Sequence, residues 1–143
     1  MENILYIKVE FKKMNKEEFL VWFINFSGII EIIFGITIIV ITPLMDLLEL
    51  PNFPFWEWSF GLSLAFMGFL LWFSSRDLKR YIIIPVSSII YRFILSGFEL
   101  YVALTVPQLF PFLLSGAIYD IISPILTIFL LQKSGYIFKG KLD

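Results

Sequence analysis

FLVWFINFSGIIEIIFGITIIVI, residues 19–41, carries one ionisable side chain, Glu31, in an otherwise uncharged run. A helix rises about 1.5 Å per residue, so crossing ~30 Å of hydrocarbon takes about 20 residues. The run is long enough to cross a bilayer. Working outward, three further runs meet the same requirement, at 55–74, 81–104 and 112–131. The breaks between them hold Pro43, Pro51 and Pro54, then the charged stretch SSRDLKR, then Pro107 and Pro111, which is the punctuation expected of connections. The fold class implied is all-α: a polytopic membrane protein with four transmembrane helices in an antiparallel bundle.

Composition agrees. Of 143 residues, 59% are hydrophobic, 19% aromatic and 16% charged, against roughly 45–50% apolar in soluble domains. Mean hydropathy is +0.87. With Cys 0 and His 0, the chain cannot use disulfides, thiolate chemistry or histidine-ligated haem, and most zinc sites are excluded. A net charge of -1 gives no basic patch for nucleic acid. No cleavable signal is evident in MENILYIKVEFKKMNKEEF, and the first span is expected to be retained. Met14 is an alternative start, and Asn15 with Glu18 three positions on has the form of a capping box that would begin the helix there.

Orientation follows from the positive residues, which collect on cytoplasmic flanks. Of 11 Lys and Arg, ten lie before the first span, between the second and third, or after the fourth. Both termini are therefore expected in the cytoplasm of a multi-pass cell-membrane protein. The organisation is a cytoplasmic segment 1–18, a transmembrane domain 19–132 and a tail 133–143. In the outer connection, 43–54, Leu44, Leu47, Leu48 and Leu50 alternate with Asp46 and Glu49 in a pattern suited to a short interfacial helix. Phe53, Phe55, Trp56 and Trp58 suit an aromatic belt beside it.

The eleventh basic residue is Arg92, inside the third span. Glu31 lies 13 residues from Glu18, Arg92 lies 12 from Arg80, and Asp120 lies 13 from Lys133. By helical rise, all three sit about 18–20 Å from the inner boundary, in one layer. Each costs about 2.5–3.5 kcal/mol at a helix centre unless partnered, so the three are expected to meet. The stripes that carry them are Asn25, Gly28, Glu31 and Gly35 in the first span; Ser88, Arg92, Ser96 and Glu99 in the third; Gly116, Asp120, Ser123 and Thr127 in the fourth. The second span offers Gly61, Ala65 and Gly68 for close packing.

A cluster of Glu31, Arg92 and Asp120 has one positive charge against two negative ones. A protonated acid, a bound cation or amine, or water would balance it. Glu99, about 10 Å further out, either reaches to water or marks the mouth of a path to the layer, with Tyr91, Tyr101 and Tyr119 as its walls. Pro124, one turn from Asp120, frees that residue's carbonyl.

No nucleophile, cofactor or metal motif is present, and the chain leans away from enzyme chemistry. Three functions remain. One is binding of a lipid-like, quinone-like or amine-bearing small molecule at the Glu/Arg/Asp site, supported by Asn25, Ser88, Tyr91, Ser96, Glu99, Tyr119 and Ser123. Another is an accessory subunit of a membrane complex, with a membrane protein or a second copy as partner and the triad fixing helix packing. The last is proton- or ion-coupled transport by an oligomer.

GIIEIIFGITIIV, residues 28–40, followed by Pro43, resembles the opening helix of DoxX-like small four-helix membrane proteins, and GFLLWFSSRDLKRYIIIPVSSIIYRF, residues 68–93, is similar to a junction seen in that group. Asp77-Leu78 stands where such junctions commonly have Asp-Pro. The resemblance implies a four-span bundle over Gly28 to Leu131 and intramembrane binding of a ligand or partner.

Overall fold

The computed structural model describes residues 15–45, 47, 49, 51 and 53–137. These residues form four long helices: α1 Lys16–Met45, α2 Pro54–Ser74, α3 Ile83–Thr105 and α4 Phe110–Lys133, the last preceded by a 3-10 turn at Pro107–Leu109. All four are long and apolar enough to cross a membrane.

Local chemistry sets most of the boundaries. The capping box forms at the head of α1: the Asn15 backbone N–H donates to Glu18 Oε2 at 3.0 Å, and the Glu18 N–H donates to Asn15 Oδ1 at 2.8 Å. Two orphan donors of the first turn are thereby satisfied. Pro54 opens α2, where its missing N–H leaves no hydrogen bond unmade, and Glu57 Oε1 accepts the Phe53 N–H at 3.1 Å. Between α2 and α3, Asp77 Oδ1 accepts the Arg80 N–H at 3.2 Å and its carbonyl accepts the Tyr81 N–H at 3.1 Å. That turn delays α3 to Ile83. Pro85 then falls in the first turn, where helix N–H groups have no intrahelical partner.

The first connection carries the expected outer amphipathic segment, 43–54, part of which lies outside the described residues. Pro43 lies inside α1, which continues to Met45. At its last turn the buried Thr42 hydroxyl donates to the Ile38 carbonyl at 2.8 Å. Leu47 is exposed and Glu49 has a positive φ of 53°. Asp46, Leu48, Leu50 and Asn52 lie outside the described residues.

Polarity is inverted relative to a soluble bundle. Trp22, Phe26, Ile33, Leu62, Phe66, Ile94, Phe98 and Ile122 are exposed, while Ser27, Glu31, Ser88, Arg92, Ser96, Asp120, Ser123 and Thr127 are buried. Lipid tails are as apolar as leucine, so nothing drives leucine inward in a bilayer; small residues and polar groups gain most from the interior.

α1 packs chiefly on α2, and α3 on α4. The first pairing rests on glycine: a Cβ at Gly28 would lie 2.6 Å from the Gly68 carbonyl oxygen, and one at Gly68 would lie 2.7 Å from Glu31 Cβ. The two pairs meet at one end through Leu20, Ile24, Leu71, Leu78, Leu130 and Leu131. There the Tyr136 hydroxyl donates to Glu17 Oε1 at 2.6 Å and the Ser134 hydroxyl donates to the Lys16 carbonyl at 3.3 Å. Arg76 lies over Trp72 and Lys133 over Phe129, with 4.1 and 4.3 Å to the ring centroids. This end is closed by an apolar plug and rimmed by basic residues.

Candidate functional site

About two turns along α1 from Ile24 of the plug, the interior becomes charged. Arg92 donates from Nη2 to Glu31 Oε1 and from Nη1 to Asp120 Oδ1, the latter at 3.2 Å. All three residues are at least 95% buried, with relative exposures of 2% for Glu31, 3% for Arg92 and 5% for Asp120. The planar guanidinium suits this role because its fork serves two acceptors at once. Its carbon also lies 4.9 Å from the centre of the Tyr119 ring, which places a π face beneath the cation. Helices α1, α3 and α4 each supply one charge, so the residues that depth and periodicity bring together are in contact.

The helices explain the placement. On α3, Pro85, Ser88, Arg92, Ser96 and Ala103 are buried along one stripe. Glu99, seven residues from Arg92, is turned only about 20° from it at 100° per residue, so it too faces the interior. Its Oε1 lies 2.7 Å from where a Cβ on Gly116 would stand. The absence of a side chain at Gly116 gives the carboxylate its place, one turn of α4 from Asp120. Glu99 is half-buried and within electrostatic reach of Asp120 and Arg92. The acidic layer therefore extends outward from the triad, and one guanidinium faces three carboxyl groups.

Three polar atoms in this region are buried with no hydrogen-bond partner: Glu31 Oε2, Glu99 Oε2 and Tyr119 Oη. A buried acceptor left unpaired costs about 1–3 kcal/mol, and more if charged. Ser96 offers no relief, since its hydroxyl donates to the Phe93 carbonyl at 2.9 Å. Ser88 and Ser123 are buried on the same faces as Arg92 and Asp120.

Other residues singled out in the sequence lie apart. Asn25 Oδ1 accepts from the Ser75 hydroxyl at 3.4 Å at the plugged end. Six residues turn a helix about 120° short of a whole number of turns, which carries Asn25 off the Glu31 face. Tyr91 pairs with Ser63 of α2 at 3.3 Å, and Tyr101 is exposed.

An apolar crevice of about 110 Å³ opens between α1 and α4 on the plug side of the layer, lined by Phe26, Ser27, Ile30, Tyr119, Ser123 and Leu126 among others. Tyr119 is common to this crevice and to the charged layer. Ser27 was not singled out in the sequence, although its position four residues before Glu31 carried the signal. Among the described residues no cluster of His, Cys, Asp and Glu could hold a metal ion.

Comparison of the chain with protein-family models, with curated proteins and with solved structures finds no match.

Proposed function

We propose that this chain is a four-span cell-membrane protein, an antiparallel bundle with both termini cytoplasmic, whose polar layer binds the ammonium group of a hydrophobic amine. The observation that carries the reading is the excess of acid. Arg92 is the one cation among Glu31, Asp120 and Glu99, and two of those acids keep a buried oxygen without a partner. A protonated amine supplies both missing quantities, positive charge and hydrogen-bond donors. A quinone supplies neither, and an anionic lipid adds to the excess. Membership among DoxX-like proteins is part of the same proposal and rests on the motifs at 28–40 and 68–93.

The test is equilibrium retention of radiolabelled dodecylamine by the protein in nanodiscs, with dodecanol and dodecanoate as references. The amine is expected to be retained at least tenfold better than either, and Glu31→Gln or Asp120→Asn to remove most of that preference while still accumulating. Equal retention of amine and alcohol by the wild type overturns the reading.

A second reading has its own support. Arg92 ties the α1–α2 pair to the α3–α4 pair through Glu31 and Asp120, as expected of a subunit whose charges fix packing for a partner. Wild-type folding lost in Arg92→Ala, together with no amine preference, favours it.

A further inference from the structure

The crevice between α1 and α4 adjoins the charged layer at one residue. Tyr119 has its ring under the Arg92 guanidinium, 4.9 Å away, and edge-on to Phe34 of α1 with centroids 6.5 Å apart. Its hydroxyl is buried without a partner. On the plug side of that ring, Ser27 and Ile30 stand within one turn of Glu31, and Ser123 within one turn of Asp120. Phe26 and Ile122, at the crevice margin, are exposed on the outer surface of the bundle. The crevice thus runs from the lipid-facing side of the α1–α4 seam to within one aromatic ring of the Arg92 guanidinium that holds Glu31 and Asp120.

Its size restricts what it holds. About 110 Å³ is below the roughly 300–1,000 Å³ of sites for drug-sized ligands, and below the ~150 Å³ apolar cavity that admits benzene. A few methylenes fit and a ring system does not. The wall is almost wholly apolar, so a polar head has to pass Tyr119 to find a partner.

We infer that the α1–α4 crevice seats the alkyl chain of a single-chain amine admitted sideways from the lipid, with Tyr119 as the movable partition between that chain and the Glu31, Arg92 and Asp120 layer. This rests on the amine-binding reading and narrows it to linear alkylamines. Charge complementarity selects the occupant: the layer beyond Tyr119 holds three carboxyl groups to one guanidinium, an excess that repels a fatty acid and leaves an alcohol without ionic gain. The rest of the chain trails into the bilayer. Chain and lipid are equally apolar, so the crevice contributes position, not hydrophobic affinity.

The full chain in nanodiscs is photolabelled with dodecylamine bearing a mid-chain diazirine, and with the corresponding neutral alcohol. The amine probe is expected to label residues 23–30 and 122–126 at least fivefold above the alcohol, and Ser123→Phe, which fills the crevice, to erase that excess. Excess labelling gathered instead around Gly116 and Glu99 overturns the crevice seat and leaves amine binding standing. No excess anywhere overturns both. If Ser123→Phe does not accumulate, the wild-type labelling map decides between these outcomes.

Discussion

Arg92 is a donor that two buried acids share, and removing it leaves both without a cation. Breaking a buried pair by deleting one partner costs about 3–5 kcal/mol, because the remaining charge stays buried and uncompensated. Arg92→Ala is therefore expected to lower stability by about that amount in detergent unfolding, and combining it with Glu31→Gln and Asp120→Asn to restore most of the loss. If the triple variant is no more stable than Arg92→Ala, the two acids are not what the arginine balances. A different single-residue effect belongs to Tyr136, beyond the end of α4. Burial, reinforced by its hydrogen bond to Glu17, raises its hydroxyl from 10.0 to about 12. A raised folded-state value means that the stabilisation is complete below pH 10 and fades as pH climbs through 12. Wild type is expected to lose thermal stability across that window more steeply than Tyr136→Phe; identical alkaline profiles would show that the contact to Glu17 contributes nothing.

The helices associate through what is missing from their surfaces. At Gly28, an added Cβ meets the Gly68 carbonyl oxygen and the Trp72 backbone nitrogen, both at 2.6 Å, and backbone atoms cannot swing aside. Gly28→Ala is expected to force α1 and α2 apart at a cost of about 1–3 kcal/mol. At Gly97 nothing lies within 4 Å of the added atom, so Gly97→Ala is expected to be neutral or to gain up to about 1 kcal/mol from helix propensity. Similar unfolding midpoints for the two variants would count against glycine contact as the basis of pairing. The sequence made the four helices legible because length and hydropathy alone decide a span, and it made the triad legible because depth and period are fixed by helix geometry. Two things resisted. Steps of three and four residues put the small-residue stripe of α1 and Glu31 on one face, whereas Gly28 and Gly35 lie against α2 and Glu31 sits at their margin, reaching Arg92. Glu99 carried an inward signal in its seven-residue spacing from Arg92. Its long side chain also permits an outward reach, and the space it takes beside Gly116 is set by another helix.

Taken as a whole, the molecule has one closed end and an asymmetric distribution of charge. Lys16, Arg76, Lys79, Arg80 and Lys133 belong to the helix ends and the turn gathered around the apolar plug of Leu20, Ile24, Leu78 and Leu131. The opposite connection, carrying Pro107 and Gln108, has no Lys or Arg. Basic flanks resist translocation, so the plugged end is expected on the cytoplasmic side, and the half-buried Glu99 on the outer side of Arg92. In that orientation Glu99 would lie between the triad and the outer surface, and the apolar plug between the triad and the cytoplasm. With Cys 0 in the native chain, single cysteines report position without background. In intact cells a membrane-impermeant maleimide is expected to label Gln108→Cys and to spare Lys79→Cys and Ser134→Cys until the membrane is opened. The reverse pattern would invert the protein. Labelling of all three from outside would mean that the basic end does not set a single orientation.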